Sequence, residues 1–413
     1  MATHTPPRKP PSSRSRLGAS YWRLWTSAGL ANIADGLIRT ALPFVAVQMT
    51  RSPVLIAGVA IALTLPWLLF ALPAGALADR LDRRRAMLAA NGLRVTLLGV
   101  LVLLSVLGAD SIWVLYGVAF CIGAAETLND TAAQSILPQV VGRDQLPRAN
   151  GRLYAAQLTA NEFIGPPLAG FLVAVGVLFA FTTPAALWLL AAVALLLIPG
   201  RFRVARERRT SLRSDIAEGL SFLWHHRMLR AFALMAGVFN FATSAVLAVF
   251  VLYAVGPESP MGLSEPAFGL VLTTIAAGSL IGSLLAERIE RLLGRTRSLA
   301  LAFIGGAALL GIPAMTAHPL PIVAGFLTGG IGIMVWNVVT VSLRQQVTPD
   351  RLLGRVNSCY RLVAWGVRPL GAAAGGLLAH LFGLRPVFAV MALLTLTLLA
   401  GLRSLTPEPG IRG

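Results

Sequence analysis

The sequence predicts an all-α integral membrane protein of twelve transmembrane helices, arranged as two six-helix repeats with both chain ends in the cytoplasm. Three observations lead there. Apolar residues make up 56% of the 413-residue chain and charged residues only 13%, too little charge to cover a soluble domain of this size. The apolar residues fall into twelve runs, each reaching the roughly 20 residues that a spanning helix needs. The polar links between runs alternate between arginine-rich and arginine-poor.

In chain order, residues 1–20 are rich in Pro, Ser and Arg and read as a disordered cytoplasmic tail. The apolar run after them is too long for a signal peptide and lacks a small-residue cleavage site. Spans 1–6 follow at about 22–49, 54–78, 86–107, 112–137, 149–175 and 177–199, within a first bundle over 21–199. Residues 200–228 form a cytoplasmic linker in which Leu212, Ile216, Leu220 and Leu223 recur at helical spacing, predicting an amphipathic helix on the membrane surface or against the bundle. Spans 7–12 follow at about 229–255, 266–286, 297–316, 319–343, 357–381 and 384–402, within a second bundle over 229–403. Residues 404–413 form a second cytoplasmic tail.

Arginines cluster at 79–85, 139–152, 200–230, 287–297 and 344–356 and in the amino-terminal tail; the intervening links carry at most one each. This is the positive-inside pattern, and with an even number of spans it places both ends on the cytoplasmic side. The net charge of +18 is spread over those links and makes no single basic face, which argues against nucleic acid as a partner. Cys121 and Cys359 belong to different spans at different depths and suggest neither a disulfide nor a metal site. No nucleotide loop, catalytic cluster or extramembrane domain supports an enzyme or receptor, and no cofactor is expected.

The halves repeat each other. Ser135–Asn150 and Ser342–Asn357 are both sixteen residues long and share Ser, Gln, Val, Leu, Arg and Asn in register at an offset of 207. The small-residue runs Gly165-Pro-Pro-Leu-Ala-Gly170 and Gly371-Ala-Ala-Ala-Gly-Gly376 come next, Leu77-Ala-Asp-Arg80 is echoed by Leu285-Ala-Glu-Arg288, and Asn32 by Asn240. Parallel six-helix repeats of this kind occur in transporters that bind substrate between halves near the bilayer midplane.

The link between spans 2 and 3, Gly75-Ala-Leu-Ala-Asp79-Arg80-Leu-Asp82-Arg83-Arg84, resembles the signature loop of the major facilitator superfamily, with Asp82 where that pattern usually has glycine. Arg23-Leu-Trp25, Ala41-Leu-Pro43, Leu146-Pro-Arg-Ala-Asn150 and Leu212–Gly219 resemble its transmembrane secretion effector branch, which contains the enterobactin exporter and macrolide-efflux proteins. Gly165, Pro166 and Gly170 are similar to the end of the motif associated with antiporters, with Ala169 in place of a usual glycine. An arginine often found on span 4 of the superfamily is missing, since Ala119 occupies its place. The resemblance implies gating by Gly75, Asp79, Arg80 and Arg83, with Asp79 near the start of span 11 when the cytoplasmic side is closed.

Charges inside the spans are few: Asp35 and Arg39 on span 1, Arg94 on span 3, Glu126 and Asp130 on span 4, Glu162 on span 5 and Arg368 on span 11. Each costs about 2.5–3.5 kcal/mol at a helix centre and needs a partner or water. Asn32, Asp35 and Arg39 share one helical face, as do Glu126 and Asp130. The matching second-half positions are Thr243, Leu247, Ile333 and Asn337, so proton chemistry is expected in the first half. Asp35, with Arg39 one turn away, is the first expectation, followed by Glu126 and Glu162; a permanent Asp35–Arg39 bridge is the structural alternative. Arg94 is expected to be structural. Trp67, Phe70, Phe239, Phe241, Trp336 and Trp365 are candidates for an apolar lining.

These features predict a monomeric efflux transporter of a bacterial inner membrane, exporting an amphipathic drug, siderophore or other natural product in exchange for protons. A metabolite importer or facilitator on the same fold is the alternative within transport.

Overall fold

The computed structural model describes residues 17–142, 145–200, 202, 212–349 and 352–402, with the backbone only at 71–72, 74–80, 147, 212–216 and 354. The two tails, apart from the few residues beside the first span, lie outside it, as do the side chains of Gly75, Asp79 and Arg80.

Twelve spans long and apolar enough to cross a membrane occur among the described residues. The first four are the single helices α1 (Ala19–Met49), α2 (Pro53–Arg80), α3 (Arg83–Val106) and α4 (Ile112–Val140). Span 5 comprises α5 (Leu146–Leu158), a π-helical turn (Thr159–Ile164) and α6 (Gly165–Val175); α7 (Val177–Leu196) is span 6. After α8 (Leu212–His225) come α9 (Arg227–Ala254), α10 (Glu265–Leu293), α11 (Arg295–Met315) and α12 (Pro319–Val347) as spans 7–10. Span 11 is divided into α13 (Leu353–Trp365) and α14 (Arg368–Phe382), and α15 (Leu384–Leu402) is the last. Several helices run past their apolar segments, as α4, α10 and α12 do, because backbone hydrogen bonding continues where the apolar pattern has ended.

Both interrupted spans have proline as the cause. Pro166 and Pro167 have no N–H to offer the carbonyls four residues earlier, and the Gly165 N–H instead bonds the Ala160 carbonyl, one residue further back than in an α-helix. In span 11, Pro369 withholds a donor from Trp365, where α13 stops.

Small residues let backbones touch. A side-chain carbon on Gly165 would lie 2.7 Å from Gly36 of α1, and one on Gly36 would lie 2.8 Å from the Asn161 carbonyl. The second half repeats this contact with Gly371 and Gly375 against Phe241 and Ala245 of α9. Two further contacts join the halves. Gly170 of α6 and Gly269 of α10 each lie on the other helix's backbone, at Glu265–Pro266 and at Pro166. Gly376 of α14 lies on α2, where an added carbon would be 2.6 Å from Ala57. Membrane helices associate this closely through small residues.

The linker helix α8 packs on α13. Glu218 pairs with Arg355, Gly219 lies on the Arg355 backbone, and Leu223 is buried with Leu229, Leu352 and Val356. Leu220, on the apolar face expected from sequence, and Trp224 are exposed.

At the loop between α2 and α3, Asp82 caps α3 by accepting from the Arg85 N–H at 3.1 Å, and its other oxygen accepts from the Phe202 N–H at 2.9 Å. Asp82, the departure from the signature pattern, thereby ties the loop to the chain leaving α7. Burial pushes its carboxyl upward, but backbone N–H donors led by Phe202 and Arg85 outweigh this and hold it below the ordinary aspartate range.

Candidate functional site

A cavity of about 690 Å³ lies between the halves. Its lining runs from Arg39, Thr64 and Glu162 at mid-depth to Met87, Leu137 and Asn150 near the face that holds the chain ends. The opposite face is shut by the α6–α10 and α2–α14 contacts and by Phe44 packed edge-on against Phe268 at 5.1 Å. The cavity therefore opens toward the face of the chain ends.

The charged residues of the first half separate into two groups. Asp35 lies behind the cavity, 4% exposed. Its carboxylate is 3.3 Å from the Arg94 guanidinium and accepts from the Trp188 indole N–H at 3.2 Å. Arg94 is fully buried, donates weakly to Asn91 at 3.4 Å, and lies 5.1 Å from the centre of the Trp188 ring, a cation–π contact. This group binds α1 to α3 and α7. The Asp35–Arg39 bridge given above as the structural alternative is not formed. The two are a turn apart on α1, but Asp35 points away from the cavity and Arg39 into it. Arg94 is buried within this group and does not line the cavity.

Arg39 pairs instead with Glu126 of α4. Its side chain is 45% exposed to the cavity, whereas that of Glu126 is 7% exposed. Span 4 lacks its own arginine, and α1 brings one to it. Asp130, one turn along from Glu126, faces the cavity without an ion pair or hydrogen bond among the described residues. The neighbouring amides are locked: Asn161 donates to Asn32 at 2.9 Å, and Asn32 donates to the Ala28 carbonyl at 2.7 Å. Asn240 repeats that second bond to Ala236 at 2.9 Å, with no partner like Asn161 among the described residues.

Glu162 sits on the π-helical turn and faces the cavity; Arg368, at the start of α14, faces it from the second half. Arg361 also lines it, 5.5 Å from the Trp365 ring centre, and Trp365 meets Trp67 edge-on at 6.0 Å. Of the six aromatic residues considered from sequence, only Trp67 and Trp365 line this cavity. Arg83 donates to the Ser135 carbonyl at 2.6 Å, a contact with α4 inside the first half. Gly165, Pro166 and Gly170 lie at helix contacts away from the lining. Arg361, Asn161, Gln134 and Gln157 line the cavity but are not singled out by sequence; for Arg361 the available signal is its position two turns before Arg368.

A search of protein families matches residues 16–409 to the transmembrane secretion effectors, a division of the major facilitator superfamily. The chain belongs to that family. It is 30% identical over 379 residues to the multidrug efflux pump Tap of Mycolicibacterium fortuitum, covering 88% of this chain and 90% of Tap. It is 28% identical over 392 residues to the enterobactin exporter EntS of Shigella boydii serotype 4, covering 91% of each. Among solved structures, the nucleoside transporter NupG shares its fold with a TM-score of 0.75 at 13% identity over 94% of this chain and all of NupG. An inward-facing bacterial homologue of ferroportin gives 0.72 at 17%, again over 94% of this chain and all of that one. The chain is a multi-pass membrane transporter of small molecules, in a family of efflux proteins, and not an enzyme.

Proposed function

We propose that this protein exports an amphipathic small molecule across the inner membrane of a bacterium by alternating access, in exchange for protons and as a monomer. The observation that carries this reading is the cavity itself. It is open at the face of the chain ends, charged at its deep end, and shut at the other face by contacts small enough to separate. With the arginine-rich links in the cytoplasm, this is the state that loads an export substrate. Reporters fused after Arg209 and at the carboxyl terminus read as cytoplasmic on this account, and one near Glu258 as external.

Exchange requires a group that holds a proton in one state and releases it in the other. Asp130 has access to water and stands beside the Arg39–Glu126 pair, so it is better placed than Asp35. Movement of Arg39 between Glu126 and Asp130 would alter the charge that each carboxylate feels. Asp79, Arg80 and Gly75 are assigned to closure of the cytoplasmic side. Arg83, engaged with Ser135, steadies the first half there.

The test is a susceptibility panel in an efflux-deficient bacterial host. Expression of the chain should raise resistance to a subset of amphipathic natural products and lower their accumulation, and dissipating the proton gradient should reverse both. Greater accumulation on expression would mark an importer instead.

A further inference from the structure

Glu162 and Arg368 occupy matching positions of the two halves. They stand 206 residues apart, as do Gly165 and Gly371, and Gly170 and Gly376. Each sits where proline interrupts its span, and each faces the central cavity. Neither is within ion-pair distance of an opposite charge among the described residues. Their surroundings follow the same division. On the first-half wall Arg39 is matched by Glu126, leaving Asp130 and Glu162 as unmatched carboxylates. The second-half wall offers Arg361 and Arg368, and no acidic residue among those lining the cavity.

We propose that Glu162 and Arg368 are the two poles of the substrate site and that its ligand is amphoteric, with a cationic group toward Glu162 and an anionic group toward Arg368. A purely cationic compound meets two guanidinium groups on one wall, and a purely anionic one meets two carboxylates on the other. Only a molecule bearing both charges satisfies both walls, and an aromatic or apolar body between them rests on Trp67 and Trp365. This assignment rests on the efflux reading for its biological meaning, but binding tests it without transport.

The experiment uses the full chain in lipid nanodiscs and three forms of one fluorescent scaffold: norfloxacin, which carries an amine and a carboxylate; its ethyl ester, a cation; and its N-acetyl derivative, an anion. Norfloxacin should bind at least about tenfold more tightly than either derivative, the factor expected for one charge-assisted contact. Arg368→Gln should lower norfloxacin to about the level of the ester and should not weaken the ester. Glu162→Gln should lower it to about the level of the N-acetyl form and should not weaken that form. The exchange Glu162→Arg with Arg368→Glu should restore part of the norfloxacin affinity. Equal affinity for the three forms, no saturable norfloxacin binding, or equal weakening of all three by both variants would overturn the proposal. A failed susceptibility panel would leave these affinities in place and sink the efflux reading alone.

Discussion

In the first half, α1 meets α6 through Gly36 and Gly165; in the second, α9 meets α14 through Phe241 and Gly371. Asn32 and Asn240 make the same bond to the carbonyl four residues back. The charged positions do not repeat. Asp35, Arg39, Glu126 and Asp130 are matched by Thr243, Leu247, Ile333 and Asn337. Close backbone contacts recur in both halves, whereas the carboxylates that line the cavity belong to the first half and the second half supplies only Arg361 and Arg368 as charged lining residues. Three sets of variants test that division.

Asp35→Asn should have the largest effect. It leaves Arg94 charged and buried without its carboxylate, costing about 3–5 kcal/mol of stability, which a thermal unfolding series in lipid nanodiscs would read. Thr243→Val at the matching position should change stability by less than about 0.5 kcal/mol, because the Thr243 hydroxyl is buried without a partner among the described residues. Comparable losses at both positions would contradict a difference between the halves.

Gly170→Ala and Gly376→Ala sharpen it. Each adds a carbon where a backbone or methyl group already sits, at Glu265 and at Ala57 respectively. Each should disfavour the closed contact by about 1–3 kcal/mol, roughly 5- to 150-fold in population. A cysteine at Phe44 should then become reactive from the face opposite the chain ends. The two variants should act alike; a response from only one would show that the two contacts bear unequal load.

The smallest effect concerns the starts of α3 and α11. Asp82 caps the first with its carboxylate, and Gly294 starts the second at φ +76° without a side-chain cap. Asp82→Ala should cost about 1 kcal/mol at neutral pH. The folded-state pKa of Asp82 is depressed, so its contribution is complete above the ordinary aspartate value of about 3.9 and is lost as pH falls through the lower folded-state value. Wild type and variant should therefore converge only below about pH 4, and a gap persisting well below that would contradict the capping role.

The spans were legible because the bilayer demands uninterrupted apolar length, and the repeat was legible because Ser135–Asn150 and Ser342–Asn357 kept their register. The partner of Asp35 was not. Spacing along α1 points to Arg39, but which way each side chain faces is decided by α3, α4 and α7, which supply Arg94, Glu126 and Trp188. The π-helical turn was half legible: Pro166 and Pro167 announce a disturbed helix, while the lengthened turn that carries Glu162 depends on how Gly165 meets α1. Asp82 read as a departure from a pattern because its partner, Phe202, enters from the far end of the same half.

On the function proposed above, proton exchange belongs to the first half. The most direct measurement is substrate movement driven by an imposed pH gradient in proteoliposomes, comparing wild type with Asp130→Asn, which copies the second half's Asn337, and with Asp130→Asn combined with Asn337→Asp. The account predicts that the single variant still binds substrate but moves it no faster with the gradient than without, and that the exchange recovers part of the response. Gradient-driven movement at the wild-type rate in Asp130→Asn would contradict the assignment of the proton to that cluster.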